Sequence, residues 1–154
     1  MKPIHPVLAG LLAFAAVAPA SAQDTFCPLL KRVIAAKAQR FAPLKTKPYH
    51  SDTREWDARV KLPGTQFCRI DQERALFNCW VTGLSEEWTK EQTGQIKASL
   101  VACLGDPSSP EKSDELASTR RTGVAWENEG ARIELITRIG KGKPEKHSIF
   151  IYVR

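Results

Sequence analysis

The motifs that usually announce an enzyme are missing from this chain. No Gly-x-Ser-x-Gly elbow presents a nucleophile, and no Gly-x-x-x-x-Gly-Lys-Ser/Thr loop turns backbone N–H groups toward a phosphate. No Cys-x-x-Cys pair or Cys/His cluster offers a metal its ligands. Histidine is scarce: beyond residue 22 only His50 and His147 occur, each alone and each suited to a surface position. Gly140-Lys141-Gly142-Lys143-Pro144 has the glycines and lysines of a phosphate loop, but it falls between two expected strands, which makes it a hairpin tip. No catalytic residue, metal ligand or cofactor site is therefore assigned.

A strong excess of one charge is also lacking. The 23 Lys and Arg stand against 17 Asp and Glu, for a net +6. That permits a mild attraction to acidic partners and makes no case for nucleic acid. The signs are nevertheless segregated: residues 23–61 hold nine basic and four acidic side chains, residues 62–115 five and nine, and residues 116–154 eight and four. A basic face opposite an acidic middle is one outcome of such segregation, and a surface of paired charges is the other.

No apolar run reaches the roughly 20 residues of a membrane span. The longest begins the chain. Lys2 precedes an almost wholly apolar stretch through Val7, Leu8, Leu11, Leu12, Phe14 and Val17, and Ala20-Ser21-Ala22 places small residues at −3 and −1 of a cleavage point. This is the pattern of a secretory signal peptide over residues 1–22, leaving one domain over residues 23–154. Cys27 follows Asp24-Thr25-Phe26, so no lipidation box stands at that point. The expectation is a periplasmic or secreted protein with no stable membrane insertion.

In such a compartment Cys27, Cys68, Cys79 and Cys103 read as two disulfides. Their spacing leaves three pairings open. Bonds from helix to sheet, such as Cys79 to Cys103, are favoured because they join distant elements, whereas a directly cross-strand Cys68 to Cys79 bond needs a less usual geometry.

Along residues 25–41, Phe26, Leu30, Val33, Ile34, Ala38 and Phe41 recur at helical spacing, with Pro28 in the first turn and Pro43 beyond the end. Lys45 and Lys47 continue the basic face of this helix into a loop. Strict alternation over residues 53–62, with Trp56, Ala58, Val60 and Leu62 on one side, predicts a strand. Residues 66–71 and 76–82 then predict a hairpin. A second helix, beginning after Ser85 or Thr89, carries Ile96, Leu100, Val101, Cys103 and Leu104 until Gly105 and Pro107 stop it. Residues 106–115, rich in Pro, Ser and acid, read as an exposed loop. Strands follow over residues 118–127, 131–139 and 147–153, and the last is apolar on both faces, as a central strand should be.

The fold expected is α+β, two helices packed on one face of a largely antiparallel sheet in the order αβββαβββ, stapled by disulfides. That order invites the idea of an internal duplication, yet no residue-level repeat accompanies it. Alternation in the hairpin puts Cys68 and Ile70 on one face with Phe77, Cys79 and Val81, and Phe67, Arg69, Asn78 and Trp80 on the other. If the cysteine face meets the helices, Phe67, Arg69, Asn78 and Trp80 form a patch without helical cover. Trp and Arg are the residues most enriched in binding hot spots. The function expected is thus non-catalytic binding of another protein or an envelope component, of the inhibitor, immunity or accessory type. The alternatives are a small hydrolase using His50 with Asp52 or Glu55, and a ligand carrier with an apolar cavity between helices and sheet.

Overall fold

The computed structural model describes residues 22–51, 54–83, 85–116, 118–141 and 146–154. The expected leader lies outside the described residues except for its last residue, Ala22, and so do Asp52 and the centre of the 140–144 loop. The chain is α+β, with two helices on an eight-stranded antiparallel sheet. In chain order the elements are α1 (Ala22–Ala36), β1 (Lys45–Pro48), β2 (Glu55–Ala58), β3 (Phe67–Asp71), β4 (Leu76–Gly83), α2 (Glu86–Leu104), β5 (Ser109–Leu116), β6 (Thr119–Asn128), β7 (Ala131–Gly140) and β8 (His147–Val153). No helix among the described residues is long and apolar enough to cross a membrane.

Each half gains one strand over the expected order, and both additions are sheet edges. The spatial order is β1-β2-β3-β4-β8-β7-β6-β5, so two meanders meet along the antiparallel β4–β8 pair. The duplication hinted at by element order is thus present in the connectivity, as two αββββ halves. The segment Lys45–Pro48, expected as a loop, pairs with β2, and Ser109–Leu116, also expected as a loop, pairs with β6. Polar, proline-bearing edge strands show no alternating apolar pattern because neither face is deeply buried, and charge on an edge discourages pairing with other chains.

Two other boundaries move. The first helix ends at Ala36 rather than near residue 41, because Arg40 and Phe41 both adopt left-handed backbone (φ 51° and 60°) and Phe41 N–H returns to Ala36 O at 2.9 Å. This reversal costs conformational energy but drives the Phe41 ring into the core, where it is fully buried. Strand β2 stops at Ala58, where the next N–H, from Arg59, bonds Leu44 O at 2.7 Å, while Val60 and Leu62 stay buried outside the strand.

Alternation aims one face of every central strand at the helices. Phe26, Leu30, Val33 and Ile34 of α1 and Ile96 and Leu100 of α2 pack on Ile70, Phe77, Val81, Trp126, Ile133, Leu135, Ile149, Ile151 and Val153. Strand β8 is central, between β4 and β7, as its two apolar faces require. Ser85 caps α2 by accepting the Trp88 N–H at 3.1 Å, and Glu86 and Glu87 occupy the first turn, where the helix dipole favours negative charge.

Disulfides join Cys27 to Cys103 and Cys68 to Cys79. The favoured helix-to-sheet pairing is overturned: one bond ties helix to helix, the other strand to adjacent strand. Cys68 and Cys79 are register partners with Cα atoms 4.0 Å apart, so the hairpin itself delivers one sulfur to the other. Cys27 and Cys103 meet because the two helices lie side by side on the same sheet face. Both bonds fit an oxidising compartment.

Candidate functional site

Because both helices lie on one face, the opposite face of the sheet has no helical cover. The register lines its side chains up in rows across the strands. One row runs Phe67, Trp80, Phe150, Ile136, Gly123 and Lys112 through β3, β4, β8, β7, β6 and β5. At about 4.8 Å per strand, its apolar part from Phe67 to Gly123 spans about 19 Å. A second row, two residues further along each strand, reads Asp57, Arg69, Asn78, Tyr152, Glu134 and Ala125. On the other flank Arg121 stands opposite Arg138, which stands opposite Ser148.

The four residues expected to form a patch all lie on this face. Phe67 is 54% exposed, and its ring lies 5.4 Å from that of Trp80. Arg69 is held on four sides. Its guanidinium carbon sits 3.1 Å from the Tyr49 ring centroid and 4.9 Å from that of Trp80, and its nitrogens reach Glu55 at 3.4 Å and Asp57 at 4.0 Å. A cation clamped between rings and carboxylates has lost its rotamer freedom in advance, which lowers the entropy cost of using it in recognition. Asn78 is half-buried, and its Oδ1 has no hydrogen-bond partner. It lies in the floor of a hollow ringed by Arg69, Leu76, Trp80, Phe150 and Tyr152.

Sequence reading missed the other half of this face. Phe150 and Tyr152 stack with centroids 5.8 Å apart and planes within 6°, and Arg138 caps Phe150 at 4.7 Å. Burial pushes the Tyr152 phenol above its ordinary pKa, against the opposing pull of Arg138 and Arg121 and with a further push from Glu134. The signal was present in β8: a strand apolar on both faces and central in the sheet must send Ser148, Phe150 and Tyr152 to whichever face the helices leave bare.

The alternative site around His50 is not assembled by the described residues. His50 is exposed with its ring tilted against that of Tyr49 at 4.1 Å, Glu55 is engaged by Arg69, and Asp52 lies outside the described residues. His147, expected at the surface, is 2% exposed on the core side of β8, because alternation there aligns it with Ile149 and Ile151. Asp114 and Glu115, expected in a loop, lie on the edge strand β5. Between helices and sheet the side chains of α1 and α2 pack against those of the central strands. No group of three or more His, Cys, Asp or Glu among the described residues is placed to hold a metal ion. No family model, no curated protein and no solved structure matches the chain.

Proposed function

We propose that this is a small periplasmic or secreted binding protein, of the inhibitor, immunity or envelope-accessory type, that docks another protein on its helix-free sheet face. The transverse belt of Phe67, Trp80 and Phe150 carries the reading. Phe67 and Trp80, in ring contact across two strands, and Phe150, in register with Trp80 on the third, give an apolar surface with few rotamers to freeze, and the clamped Arg69 beside them adds a fixed cation. Export is supported by the leader-like first 22 residues and by two disulfides.

Site-directed photo-crosslinking in the native host tests this. A photoreactive phenylalanine analogue at Phe67 should give a discrete protein adduct, lost when Arg69→Glu is added, while the same analogue at Lys31 on the outer side of α1 should give none. Equal adducts from both positions, or adducts indifferent to Arg69→Glu, would overturn the assignment to this face.

A further inference from the structure

At the far end of the same face the belt finishes in a hollow of about 190 Å³ whose lining includes Gly123, Ala125 and Ile136 and the charged side chains of Lys112, Arg121, Arg132, Asp114 and Glu134. Its floor exists because β6 presents Gly123 and Ala125 where neighbouring strands present long side chains. Ile136 beneath it is 4% exposed yet belongs to the outer face and not to the helix-side core.

The charge around the hollow is not balanced. Glu134 is neutralised by Arg132 at 2.8 Å and Arg154 at 2.9 Å, and Arg132 also reaches Glu127 at 2.7 Å, so these four close among themselves. Lys112 and Arg121 of the lining form no ion pair among the described residues, nor does Arg138 on the adjoining strand, and the lining carboxylate left outside the Glu134 cluster is Asp114, the register partner of Arg121. Arg121 and Arg138 are directly opposite each other, an arrangement that costs stability in a free sheet because like charges repel at that spacing. A bound anion removes that cost.

We propose that the hollow over Gly123 receives the carboxylate side chain of an acidic segment of the protein partner, with Arg121 and Lys112 supplying the charge from its lining, Arg138 adding to it from the neighbouring strand, and Ile136 the apolar floor. This rests on the reading of the sheet face as a docking surface and names the chemistry of its basic end: Phe67, Trp80 and Phe150 would take the apolar body of the partner, and the hollow its acidic anchor. An arginine guanidinium suits a carboxylate, to which it donates two parallel N–H bonds.

The probe is a capped hexaglutamate peptide titrated into the oxidised, isotope-labelled protein, followed by amide chemical shifts. The expected result is saturable shifts centred on Lys112, Arg121, Gly123 and Arg138, with affinity falling at least tenfold for Arg121→Glu combined with Arg138→Glu. Gly123→Leu keeps the charges and fills the floor, and it should weaken the peptide comparably. A methyl at Gly123 would meet only Ile136 and the Leu135 carbonyl at 3.8 and 3.9 Å, so Gly123→Ala serves as the variant that keeps the fold if leucine does not. Unchanged affinity in both Gly123 variants would mean diffuse attraction and overturn the hollow. So would equal shifts with free acetate at the same carboxylate concentration, or shifts centred on Arg69. Failure of the peptide leaves the crosslinking result at Phe67 to stand or fall separately.

Discussion

Phe67 and Trp80 are register partners on the face turned away from the helices, directly beside the bonded pair of Cys68 and Cys79, which is turned toward them. The ring pair therefore contributes to the surface and the sulfur pair to the core, one residue apart. Trp80→Ala should cost about 1 kcal/mol or less, the scale of one cross-strand aromatic pair. Trp126→Ala should cost about 3–5 kcal/mol, because Trp126 is 1% exposed and donates its Nε1–H to Gly105 O at 3.0 Å. Urea unfolding of the two variants checks this, and a comparable loss from both would place Trp80 in the core.

The two disulfides should differ in worth. The Cys27–Cys103 bond closes a sequence separation of 76 residues and the Cys68–Cys79 bond one of 11. In the chain-entropy account these restrict the unfolded chain by about 4.5 and about 2.8 kcal/mol. Paired Cys→Ser variants measured by denaturant melts should rank in that order, with the helix-to-helix pair the more damaging.

Two glycines should respond oppositely to an added methyl. At Gly83 a Cβ would come 1.8 Å from Thr89 Oγ1, which is itself held by a 2.7 Å bond to Ser85 O at the start of α2. Gly83→Ala should cost about 1–3 kcal/mol through overpacking, whereas Gly123→Ala should leave the melting temperature nearly unchanged. Thermal melts of both variants suffice.

Tyr152 gives the fold a dependence on alkaline pH. Burial raises its phenol pKa, while Arg138 and Arg121 oppose that shift and Glu134 adds to it. The stability contributed by keeping it neutral is fully present below the unfolded tyrosine value of about 10 and is lost as pH rises through the higher folded value. Wild type should therefore lose more stability than Tyr152→Phe between about pH 9 and 11. Parallel curves would show that Tyr152 is not coupled to folding.

Replacing the α2 cap tests which of the two starts left open by the sequence, Ser85 or Thr89, carries the cap. Ser85→Ala removes the acceptor for Trp88 N–H and should cost about 1 kcal/mol. Ser85→Asp should restore most of that loss in the same melts.

The elements legible in the sequence were those with one deeply buried face. Phe26, Leu30, Val33 and Ile34 marked α1, and the Phe67–Asp71 and Leu76–Gly83 hairpin showed which side chains shared each face. Edge strands β1 and β5 were hidden because Lys45, Thr46 and Lys47, and Glu111 through Glu115, are paired in the sheet without being buried by it. The disulfide pairing was hidden for a different reason. It depends on α1 and α2 lying against each other, a tertiary fact that spacing along the chain does not encode. The part-buried hydroxyl contact between Thr93 and Thr137, 2.9 Å across α2 and β7, escaped for the same reason.

The arrangement of two meanders about the β4–β8 pair bears on the kinetics of folding. Within each meander every strand pairs with its neighbour in sequence, so those ladders can zip with short loop closures. Closing β4 against β8 instead brings together segments separated by α2 and three strands, and the entropy of that long loop is lost before the seam offers any compensation. The rate of folding should thus be governed by Val81, Ile149 and their neighbours along this one junction, while substitutions near β1 or β5 should chiefly change how fast the native protein opens.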